Sequence, residues 1–203
     1  MPWYAPLARA VPALAVAVWI TLSADHSPSL GMLTLGVFAL AAGLIVGVTA
    51  LALRGIPRGI TLAQGALTVV TGVVAVVFQH GGLPFYLFLL TVFAAVTGFL
   101  ELYLGLRSRG RDRYSRDWVF AGALTALLAL VVLIVPPDFN QPLGGLEQIP
   151  GELTASVIVV GLFGAYLAIF GVYLAIAGFS LRSAPASESS PEREKAPAEG
   201  AAS

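Results

Sequence analysis

Three sets of side chains in this sequence could do chemistry. Glu101 is a lone carboxylate inside a long apolar run, where an acid binds a proton, holds a substrate group or pairs with a buried cation. His26 and His80 stand beside Asp25 and Gln79, and imidazoles are the side chains that gain charge closest to neutrality. Arg107, Arg109, Arg111, Arg113 and Arg116 form a dense basic run directly after the apolar segment that holds Glu101.

Other chemistries lack their residues. The chain has no Cys and two His, so it offers no disulfide framework, no thiolate nucleophile and no Cys-based metal site. The only Lys is Lys195, near the end, so no glycine-rich phosphate loop has its lysine. No nucleophile, base and orienting group can be named together, so we expect no enzyme and no catalytic, metal or cofactor-binding residues. Nucleic acid is not an expected partner either, because no soluble module accompanies the basic run.

The elements that must position these residues are membrane helices. Hydrophobic residues make up 58% of the 203-residue chain and charged ones 11%, with a mean hydropathy of +0.88. A soluble fold cannot hide that much apolar surface. Apolar runs mark six spans at 7–22, 30–53, 60–78, 83–106, 118–135 and 153–181. The first also resembles the apolar region of a signal peptide. We expect it to be retained, with Arg9 snorkelling to the surface.

Orientation follows from charge. All eleven basic residues fall on one side of this six-span arrangement. Asp25, Asp138, Glu147 and Glu152 fall on the other, without Lys or Arg. Positive loops stay in the cytoplasm, so both termini are expected there. Acidifying the outside would move the outer face from −4 toward +2 as His26 and His80, and at lower pH the four carboxylates, gained protons. That makes them candidate pH-sensing residues, against the simpler reading of a polar loop. The basic run sets topology, with anionic lipid headgroups as a candidate ligand. Residues 136–152 read as a Pro- and Gly-rich outer connector, and 183–203 as a disordered cytoplasmic tail.

A repeat is written in small residues. Spans two, four and six align on Gly43, Gly98 and Gly171, and each carries a stripe spaced four, three, four, three, four. The stripes run from Gly36 through Gly47 to Arg54, from Thr91 through Gly105 to Arg109, and from Gly164 through Gly178 to Arg182. Spans three and five share GALT at Gly65–Thr68 and Gly122–Thr125, while span one shows no comparable signal. The expected fold is an all-α integral membrane protein of six transmembrane helices, arranged as three tandem antiparallel hairpins at about 7–54, 58–109 and 116–182. Gly36, Gly43, Gly47, Gly98, Gly105, Gly164, Gly171 and Gly178 are expected to pack helix against helix, because close approach replaces the hydrophobic effect in lipid.

With three hairpins, glycines on the even spans and arginines at their ends, residues 7–182 resemble the HdeD-like family of bacterial membrane proteins. The resemblance implies a bacterial inner-membrane location and a link to stress. It brings no catalytic residues. Glu101 aligns with Val46 and Leu174, so the repeat does not demand an acid there. It lies six residues, about 9 Å of helix, before Arg107. Two readings follow. Glu101 either pairs with Arg54, Arg58 or Arg116 in a structural or accessory membrane protein, or serves a small-solute or proton-linked transporter or channel. The bilayer is the expected partner, and a second copy or another membrane protein is the candidate protein partner.

Overall fold

The computed structural model describes residues 4–110, 115–142 and 152–183. Arg111 and Arg113 of the basic run, and the tail from 184 onward, lie outside the described residues. The described chain forms α1 (Tyr4–Leu22), α2 (Pro28–Ala50), α3 (Gly55–Val77), α4 (Gly82–Arg107), α5 (Ser115–Ile134) and α6 (Ala155–Ser183). All six are long and apolar enough to cross a membrane, which makes this a small multi-pass membrane protein.

Local chemistry sets the ends of these helices. Ser27 caps α2 by accepting a hydrogen bond from the Leu30 amide, with Pro28 in the first turn. Asp25 holds Ser27 in place through both its amide and its hydroxyl. Gly82 enters α4 with φ +78° and Gly110 leaves it with φ +78°, a backbone region that residues with a Cβ rarely adopt. The outer connector is not wholly irregular. Short strands β1 (Asn140–Pro142) and β2 (Glu152–Thr154) pair antiparallel, with Asn140 opposite Thr154.

Packing departs from the sequence expectation in one respect. Helices α1 and α2, α3 and α4, and α5 and α6 do touch, but the closest packing runs through the other connections: α2 with α3, α4 with α5, and α1 with α6. The glycine stripes explain why. A Cβ placed on Gly43 would sit 2.8 Å from the Val69 amide nitrogen, and one on Gly98 would sit 2.7 Å from that of Ala126. On α6, a Cβ on Gly171 would lie 2.7 Å from Leu14 Cγ, and one on Gly178 would lie 2.5 Å from Leu7 Cγ. Helix α1 therefore supplies a leucine at Leu14 where α3 supplies Val69 and α5 supplies Ala126. Gly47 differs from the other stripe glycines, since a Cβ there would meet nothing within 4 Å. Its backbone is instead the surface on which Gly65 packs.

These contacts superimpose the three pairs. Val69, Ala126 and Leu14 occupy one position in their respective helices, as Gly43, Gly98 and Gly171 do in theirs. The inner faces of α2, α4 and α6 then stack in layers: Leu35, Leu90 and Phe163; Phe38, Phe93 and Tyr166; Ala42, Thr97 and Phe170; Val46, Glu101 and Leu174. All twelve residues are buried, so matched positions of α2, α4 and α6 face the interior of the bundle.

Candidate functional site

Polar side chains gather where the three pairs meet. Counting back five residues from Leu14, Val69 and Ala126 gives Arg9 on α1, Gln64 on α3 and Ala121 on α5, three matched positions of which the first is half-buried and the other two buried. In two of them a polar residue replaces the small one. Arg9 Nη2 donates to Glu101 Oε1 at 2.7 Å, and Gln64 Nε2 donates to the same oxygen at 2.8 Å. Glu101 is 2% exposed and Gln64 5%.

The partner of Glu101 is therefore not Arg54, Arg58 or Arg116. Arg9, which was expected to snorkel outward, points inward instead. Its guanidinium carbon lies 5.3 Å from the centre of the Phe170 ring, an attraction to the ring face that favours burying the charge. Among the described residues, Arg9 Nε is buried without a hydrogen-bond partner.

The neighbouring layer is also polar. Thr68 and Thr125, the equivalent threonines of the GALT strings, face the same point, as does Thr97. Each hydroxyl bonds back to a carbonyl of its own helix, at 2.8, 2.8 and 2.6 Å. Thr125 also shares a 2.9 Å hydrogen bond with the Tyr166 hydroxyl, joining α5 to α6. Together these residues surround a cavity of about 20 Å³, enough for one water and too small for an organic solute.

The remaining candidates do not join this cluster. His26 is half-buried and His80 exposed, and neither imidazole forms a hydrogen bond or ion pair with a described residue. Arg107 folds back along its own helix, donating to the Tyr103 hydroxyl at 3.2 Å. Asp117, beside Arg116, accepts from the Tyr173 hydroxyl at 2.7 Å. The Phe120 and Tyr173 rings stack at 3.9 Å, so α5 and α6 are joined again at the arginine-bearing end. Among the described residues, no three His, Cys, Asp or Glu side chains gather to hold a metal ion.

Residues 63–135, from α3 to the end of α5, match a family described as a short repeat of unknown function, DUF308. No curated protein and no solved structure matches the chain.

Proposed function

We propose that this is a small membrane protein of structural or accessory type, in which Arg9, Glu101 and Gln64 tie three helix pairs together where they meet. The observation that carries this reading is the closeness of the site. One carboxylate oxygen is taken by two protein donors, and the adjoining space holds about one water. Buried acids in membrane proteins need a partner, and this one has two. Arg9 and Gln64 come from different pairs, so the ion pair specifies how the pairs assemble as well as that they do.

The HdeD-like resemblance and the repeat match over 63–135 support a stress-linked role in a bacterial inner membrane. Arg54, Arg58, Arg107, Arg109, Arg116 and Arg182 all cluster at the end where α1 begins and α6 stops, which supports placing both termini in the cytoplasm. Small-solute or proton-linked transport through Glu101 is the rival. It requires a wet path to the carboxylate, and a one-water cavity favours packing.

Glu101→Gln separates the two. It keeps the shape and one acceptor oxygen for Arg9 and Gln64 but leaves the Arg9 charge uncompensated. We expect the variant to lose folded protein in mild detergent and to unfold at lower SDS than wild type. A variant that resists SDS like wild type, yet loses proton flux in reconstituted vesicles, would overturn the structural reading.

A further inference from the structure

The three helix pairs differ seven residues before the aligned glycines. Seven residues before Gly43, Gly98 and Gly171 stand Gly36, Thr91 and Gly164. Two of these glycines are filled by the partner helix: a Cβ on Gly36 would lie 2.6 Å from Val76 Cγ2, and one on Gly164 would lie 2.9 Å from Ile20 Cγ2. In the α4–α5 pair the position carries the β-branched Thr91. Leu133, the counterpart of Val76, is turned outward and 71% exposed. A groove of about 240 Å³ opens between the two helices, lined by Leu87, Phe88, Thr91, Val132, Leu133 and Pro137 among others.

We infer that this groove is a binding site for one acyl chain of a bilayer lipid. Its lining is apolar apart from Thr91, and it runs from Pro137, where the chain leaves α5, inward along the helices to Thr91. A lipid chain therefore enters from the headgroup boundary. The rim residues Phe88 and Val92 are exposed, and around a membrane-spanning bundle their surroundings are hydrocarbon. Ordinary lipid meets a convex surface of packed side chains. Here it meets a furrow held open by a single branched residue, with dispersion contacts on both walls. The inference uses none of the Glu101 chemistry.

The full chain is reconstituted in dioleoyl phosphatidylcholine vesicles, extracted in mild detergent and weighed by native mass spectrometry, with circular dichroism checking that each variant is folded. Wild type and Thr91→Val, which keeps the wedge, should each retain one phosphatidylcholine. Thr91→Gly lets Leu133 close the gap and Thr91→Leu fills it, and both should hold the lipid about tenfold more weakly. Equal retention by all four proteins, or none by wild type, would overturn the site. So would a dimer that Thr91→Leu dissociates, because a second copy would then cover the groove. If Thr91→Leu fails to fold, Thr91→Gly decides alone.

Discussion

Glu101 accepts from both Arg9 and Gln64 in the interior, and the cost of changing it lies in what is left behind when a partner is removed. A buried ion pair gains little over a well-packed apolar pair, but an orphaned charge costs about 3–5 kcal/mol. Arg9→Met and Glu101→Leu should therefore each destabilise the protein by about that amount. The double variant should recover most of the loss, a coupling that SDS unfolding in a double-mutant cycle would measure directly. Equal and additive losses would mean that Arg9 and Glu101 do not meet. The Thr125–Tyr166 hydrogen bond is a lesser matter. Membrane hydrogen bonds of this kind average about 0.6 kcal/mol.

At the scale of the helix, small residues decide which faces approach. Leu40 and Leu102 look like interruptions of the α2 and α4 stripes, yet each is received by a glycine on its partner: a Cβ on Gly72 would lie 2.8 Å from Leu40 Cγ, and one on Gly122 would lie 2.9 Å from Leu102 Cγ. Bulk on one helix is matched by its absence on the other. Substitutions should sort accordingly. Gly98→Ala and Gly122→Ala push Cβ into opposing backbone nitrogens at 2.7 and 2.5 Å and should cost about 1–3 kcal/mol as overpacking. Gly47→Ala meets open space and should leave SDS resistance unchanged. If all three behaved alike, the facing surfaces would be wrongly assigned.

Across the whole molecule, the pair formed by α1 and α6 joins the two ends of the described chain. Leu7 meets Gly178, Leu14 meets Gly171 and Ile20 meets Gly164, so the two helices run antiparallel and α1 completes the third pair. The chain has no native Cys, which makes a designed cross-link unambiguous. Leu14→Cys with Gly171→Cys should oxidise within one chain, giving a faster-migrating, reductant-sensitive monomer on SDS gels. Cross-linked dimers alone, or no cross-link, would mean that the third pair does not close.

The six apolar spans, the one-sided arginines and the even-helix glycine stripes were legible in the sequence, because each is a local pattern of composition or helical period. Glu101 was legible as an oddity, being a single acid within a span. Its partner was not. Arg9 lies 92 positions away in the chain, and α1 carries no glycine to align, since Ala10 stands where α3 and α5 carry Gly65 and Gly122. Only once α1 is laid against α6 does Arg9 fall into the position of Gln64 and Ala121. Periodicity shows which face of a helix is small, whereas the choice of neighbour depends on how knobs and gaps on separate helices fit, and that fit exists only in the folded bundle.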